Sequence, residues 1–176
     1  MIAACRFGGG LISHFLSIYW CDQHRNFNGG SRRGIIFCKK FKQRGNSFMK
    51  PLTREWVAKA EGDFQTARRE LRARKFPNFD SAAFHAQQCV EKYFKARLQE
   101  AGESFPHTHD LAILLNLLLK IEPLWNGLAG SAATLTDGAV KVRYPGSSIT
   151  RIKAKDAVAR CREIRALVRK SLGLRA

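Results

Sequence analysis

Apolar residues begin to recur at three- and four-residue steps at Trp56. Trp56, Ala60, Phe64, Ala67 and Leu71 fall on one arc of a helix, and the pattern continues to about Arg74. Thr53, with Trp56 at the third helical position, reads as the N-cap. Phe76-Pro77-Asn78 breaks the pattern. A second helix, capped by Asp80 or Ser81, runs to about Ala101 before Gly102; its apolar set is Ala82, Ala86, Cys89, Val90, Tyr93, Phe94 and Leu98. After the loop Glu103–Thr108, a leucine-rich third helix extends from His109 to about Ile121. Pro123 can open a fourth, reaching to about Lys141. Val142-Arg143-Tyr144-Pro145-Gly146 reads as a turn, because Pro145 disfavours helical geometry at Tyr144. The last helix runs from about Lys153 to Leu172 on a seam of Ala154, Val158, Cys161, Ile164 or Arg165, and Val168, and Gly173 ends it. No segment alternates at period two and no long repeat is present. The pattern therefore predicts an all-α fold: an antiparallel, up-down four-helix bundle with one extra short helix.

Residues 1–48 are different. They hold glycine clusters and no sustained period, and carry eight Lys/Arg against one acid, Asp22. They read as a poorly ordered basic tail, with a nucleic-acid-binding arm as the functional alternative. A third reading starts the natural product at Met49, since Met49-Lys50-Pro51-Leu52-Thr53 leads straight into a helix. The predicted domain is 49–176.

Charge changes the picture more than length does. Across 176 residues, 31 Lys/Arg oppose 14 Asp/Glu, a net +17. Such a field attracts phosphate backbones, anionic membranes or acidic proteins without choosing among them. The five cysteines are widely spaced with no C-x-x-C, which argues against a disulfide framework and a zinc ribbon. Cys89 and Cys161 lie on helical apolar seams as small hydrophobes, and a reducing cytoplasm fits best. No apolar run approaches the roughly 18 residues of a membrane span. Residues 11–20 imitate a signal-peptide core only until His14 interrupts them, and no cleavage site follows.

No phosphate-binding glycine loop, dinucleotide fingerprint, zincin helix or nucleophile elbow is present. Glu61 and Asp63 are the closest-spaced acid pair that could suggest a magnesium site. Two residues apart on a helix they diverge by about 200°, too far to share a metal. No cofactor, metal or catalytic residue is predicted.

The second helix carries the densest signal. His85, Gln88, Lys92 and Lys95 step by three, four and three along one face, offering an imidazole, an amide and two ammoniums to a phosphate and a base edge. The blander reading is a solvated face in which Glu91 and Lys95 pair at i, i+4. Arg143 and Tyr144 can present a guanidinium and a ring together from a fixed turn; alternatively Tyr144 plugs the bundle end and Arg143 caps the fourth helix. His107 and His109, with Asp110, read first as helix initiation, and His109 is an additional ligand candidate. Arg151, Lys155, Arg162, Arg165 and Arg169 would give the last helix a basic patch.

The string Phe84-His85-Ala86-Gln87-Gln88-Cys89-Val90-Glu91-Lys92-Tyr93-Phe94-Lys95-Ala96 resembles the second-helix signature of HEPN domains. His109-Asp110-Leu111 and Val142-Arg143-Tyr144-Pro145 follow in that family's order and spacing, and the resemblance runs from about Leu52 to Leu172. It implies a homodimer with a groove between protomers. It also implies a prokaryotic origin and a minimal nucleotidyltransferase partner encoded nearby, sometimes as a toxin–antitoxin pair. Many such proteins are ribonucleases with an R-x(4–6)-H motif. Here no histidine follows an arginine at that spacing; Arg6 and His14 come nearest, with seven residues between them. The reading is thus a nucleotide- or RNA-binding module using His85, Gln88, Lys92, Lys95, Arg143 and Tyr144. The alternatives are a metal-independent ribonuclease with a non-standard site such as His85 with Arg143, and a structural adaptor without a ligand.

Overall fold

The computed structural model describes residues 49–143 and 145–175. The expectations for residues 1–48 and for Tyr144 lie outside the described residues. Five α-helices are present, with no strand among the described residues: α1 (Pro51–Arg72), α2 (Phe79–Ala101), α3 (Leu111–Leu118), α4 (Ala129–Lys141) and α5 (Arg151–Ser171).

Local chemistry sets the helix ends, in places differently from the sequence expectation. α1 starts at Pro51, whose fixed φ suits a first helical position, so Lys50 rather than Thr53 is the N-cap. Thr53 is instead wholly buried, and its hydroxyl has no hydrogen-bond partner among the described residues. α2 is capped by Asn78, whose side chain accepts from the Ser81 N–H at 2.8 Å. Asp80, expected as a cap, lies in the first turn and accepts the Ile149 N–H at 2.6 Å, tying the start of α2 to the loop before α5. At the other end Gly102, with φ +81°, lets the Glu103 N–H return to the Leu98 carbonyl at 3.0 Å. α3 begins at Leu111, not His109, because Asp110 accepts the Ala112 N–H at 2.8 Å and holds extended geometry. The helix expected from Pro123 to Lys141 is a 3-10 turn, Pro123–Leu128, followed by α4. Gly127, a poor helix former, sits where the two meet.

Cross-helix bonds give the directions. Lys50, before α1, bonds Gln99 and Glu100 at the end of α2, so α1 and α2 are antiparallel. Asp80 meets Ile149 at one end of α2 and Arg97 meets Ser171 at the other, so α2 and α5 are parallel. Trp125, just before α4, stacks on Phe94, while Arg143, just after it, lies over Phe84; α4 therefore runs against α2. α1, α2, α4 and α5 form the up-down bundle, and α3 is the extra short helix. α2 is central and packs on all four others.

One hydrophobic cluster extends from Met49 to Leu172 through Val57, Phe64, Phe94, Leu114, Leu135 and Ile164. Truncating a core ring such as Phe94 costs about 3–5 kcal/mol. Cys89 and Cys161 are buried free thiols beside each other in this core, and burial pushes the Cys89 thiol well above its usual range.

Candidate functional site

The polar stripe of α2 lies between α1 and the loop before α3 and is only partly open to solvent. His85, Gln88 and Lys92 are half-buried there, and Lys95 is buried. Two carboxylates organise the stripe. Asp63 on α1, nearly buried, meets the His85 Nδ1 at 2.9 Å and also accepts from the Lys92 ammonium. Glu91 on α2 is more deeply buried. It accepts from the Lys95 ammonium at 2.7 Å, from the Gln87 and Gln88 amides at 3.2 and 3.3 Å, and meets the His109 Nδ1 at 3.1 Å. Gln87 also donates to the His109 carbonyl at 2.8 Å, locking the loop before α3 to α2.

The Glu91–Lys95 pair is therefore present at its i, i+4 spacing, but as the centre of a buried network rather than a solvated pair. Lys95 lies 5.7 Å from the Trp56 ring centroid, so its charge is enclosed by a carboxylate and an aromatic face. Lys92 is likewise engaged by Asp63.

His85 is the stripe's freest hydrogen-bonding group. Its Nδ1 is held by Asp63, and its Nε2 makes no hydrogen bond among the described residues. Phe84 meets the His85 ring edge-on at 5.5 Å, and the Arg143 guanidinium lies 5.5 Å over the outer face of Phe84. The turn after α4 thus comes to the front of α2, and Arg143 stacks on Phe84 rather than folding back on the α4 carbonyls. Arg143 is exposed and makes no ion pair among the described residues. His109 stands at the far edge of the stripe, half in solvent.

Glu61 serves another junction. It accepts from Arg165 at 2.7 and 3.0 Å, from Arg169 at 3.1 Å, and from the Tyr93 hydroxyl. Burial raises its pKa, but the hydrogen bonds from Arg165 and Tyr93 and the two guanidinium charges outweigh it, so the carboxyl stays below its ordinary value. The Tyr93 hydroxyl is pushed up by burial and by the Glu61 charge. Glu61 and Asp63 thus face different helices, and no metal-holding cluster occurs among the described residues. The basic patch expected along α5 does not form one face: Arg165 and Arg169 turn inward to Glu61, while Arg151, Lys155 and Arg162 are exposed.

The sequence reading missed Asp63, Glu91 and Phe84 as organisers. Asp63 left one trace: three residues after Ala60 and four before Ala67, it lies on the buried arc of α1, where an acid needs a cationic partner.

No helix among the described residues is long and apolar enough to cross a membrane. No curated protein sequence matches the chain significantly. The fold is similar to that of TT1696 from Thermus thermophilus, with TM-score 0.59 and 22% identity over 67% of this chain and 96% of that one. The HEPN domain family model matches residues 53–171, which takes in the bundle from α1 to the last residue of α5. The chain belongs to the HEPN domain family.

Proposed function

We propose that the chain is a nucleotide- or RNA-binding HEPN module that works in the cytoplasm as a homodimer with a nucleotidyltransferase partner, as in a toxin–antitoxin-type pair. The observation that carries the binding part is the ladder of Arg143, Phe84 and His85 on the open face of α2. Arg143 supplies an uncommitted guanidinium for a phosphate, and the His85 Nε2 and Gln88 reach for a base edge or ribose hydroxyl. Lys92 adds positive field from beside the ladder, Lys95 and Glu91 hold the face rigid, and His109 stands at its rim. Tyr144, next to Arg143 in the chain, is the stacking ring of this reading. The homodimer, the partner and the pairing rest on the family resemblance.

Titrating the protein with a labelled mononucleotide and a short single-stranded RNA, followed by fluorescence anisotropy, tests the binding part. Saturable binding that Arg143→Ala weakens supports it; no binding of either probe leaves an adaptor. Co-expression with the nucleotidyltransferase encoded beside this gene tests the partnership, and failure of the two to co-elute removes it.

A second reading, a metal-independent ribonuclease, is favoured by one geometry. The Asp63 carboxylate orients His85 through Nδ1 and leaves Nε2 without a hydrogen bond among the described residues, as a general base requires, with Arg143 nearby for the phosphate. Cleavage of labelled RNA in EDTA, lost in His85→Ala, would establish it.

A further inference from the structure

The end of the bundle where α1 gives way to α2 carries a second surface. A cleft of about 900 Å³ is lined by the apolar side chains of Leu71, Pro77, Phe79 and Ile152 and by the cations Arg72, Arg74, Arg151 and Lys155. No carboxylate lines it. None of its four cations makes an ion pair among the described residues, and all four are exposed. Acids on the helices beside it are already engaged: Glu70 pairs with Arg69 at 3.4 Å, Asp80 accepts the Ile149 N–H, and Asp156 pairs with Arg160 at 2.7 Å.

Beside this cleft stands an aromatic ring with no packing role. Phe76 borders the adjoining hollow, which shares Pro77 and Phe79 with the cleft. It is 97% exposed, and its backbone has φ +50°. A bulky residue seldom adopts that left-handed conformation, and a phenyl ring left wholly in water contributes nothing to the core. Ile152, on the opposite helix, is 80% exposed at the cleft itself. Unopposed cations among apolar side chains, with a free ring beside them, have one well-matched occupant. That occupant is a flexible polyanion whose charges are spaced along a backbone and whose bases offer flat faces for stacking.

We infer that this cleft, with Phe76 at its edge, is a binding track for single-stranded RNA, separate from the α2 face. Arg72, Arg74, Arg151 and Lys155 take successive phosphates, and Phe76 stacks on a base. The track extends the RNA-binding reading to a surface that does not need the α2 site.

The test uses the full chain and a labelled 12-nucleotide oligouridine, with anisotropy measured across a salt series. The paired substitution Arg74→Gln/Lys155→Gln should weaken binding tenfold or more and flatten the slope of log K against log salt by about 0.7 for each phosphate left without its cation. Arg162→Gln removes a charge from the exposed side of α5 outside the cleft and should change affinity less than twofold. Phe76→Ala should weaken oligouridine about fivefold or more and leave an abasic oligonucleotide of the same length unaffected. None of these side chains belongs to the core, and circular dichroism of each variant is the check that it remains folded. If the cleft variants lose no more affinity than Arg162→Gln, the track does not exist. Equal effects of Phe76→Ala on both oligonucleotides overturn the stacking role. If phosphatidylcholine/phosphatidylglycerol vesicles capture the protein through these residues while oligouridine does not bind, the occupant is a membrane and the inference fails. Arg143→Ala with a mononucleotide probe separates the two surfaces. Loss there with the cleft variants silent leaves only the α2 reading, and the converse leaves only the track.

Discussion

The carboxylate of Asp63 and the imidazole of His85 meet at 2.9 Å across α1 and α2, and the same carboxylate holds Lys92 one helical stretch further along α2. The polar face of α2 is thereby fixed by an acid 22 residues away in sequence from one partner and 29 from the other.

Removing that acid should be costlier than removing either partner. Asp63→Ala strands the part-buried Lys92 ammonium and should lower stability by about 1–3 kcal/mol in urea melts. Lys92→Ala in the same background should add little, because the pair is already broken. Additive losses would show that the two side chains act independently.

Arg143→Ala should weaken mononucleotide or RNA binding by about 1–3 kcal/mol, as for a charge-assisted phosphate contact. The urea midpoint should hold, because the exposed guanidinium covers only the outer face of Phe84. A variant that loses binding only in proportion to its unfolded fraction would make this turn architecture.

Glu61 predicts an acid limb. Its folded pKa lies below the ordinary glutamate value of 4.5, so it binds fewer protons in the native state than in the unfolded state. The stabilisation is therefore full above that ordinary value and is lost as pH falls through the lower folded pKa. Glu61→Gln should flatten that limb of the stability profile, measured by urea midpoints from about pH 6 down to about pH 3. An unchanged limb would shift the effect to other carboxylates.

Thr53 invites the opposite kind of change. Its buried hydroxyl has no partner among the described residues, so Thr53→Val keeps the shape and removes a desolvated polar group. Thermal melting should rise by a few degrees, for a gain of up to about 1 kcal/mol. A fall would mean the hydroxyl is hydrated or bonded in solution.

The described core closes between Met49 and Leu172, so a chain of residues 49–176 should fold by itself. Its melting midpoint should lie within about 5 °C of the full chain, the equivalent of roughly 1 kcal/mol at this size. A larger drop would assign residues 1–48 a stabilising role.

The helices were legible because their apolar residues repeat at helical steps, a purely local signal that also gave the Gly102 and Gly173 stops. The starts were less so. Thr53 and Asp80 are good capping residues in isolation, yet Pro51 and Asn78 set the starts; Thr53 went into the core and Asp80 bonded the loop before α5. The stripe of His85, Gln88, Lys92 and Lys95 was visible as a face. The Glu91–Lys95 pair was visible too, from its i, i+4 spacing, but neither its burial nor the engagement of His85 and Lys92 was, because Asp63 arrives from α1 and His109 from the loop before α3. Spacing along one helix cannot show what another helix brings to it.

The two acids of α1 stand two positions apart yet grip different neighbours, Glu61 the arginines of α5 and Asp63 the histidine and lysine of α2. An apolar seam alone tolerates sliding by a heptad, since one aliphatic residue can replace another in the groove. These grips do not. Sliding α1 past α2 would leave Asp63 facing apolar side chains, and rolling it would pull Glu61 from its guanidiniums. α1 is therefore keyed in both translation and rotation, and the face that α2 shows to solvent inherits a single alignment from that lock.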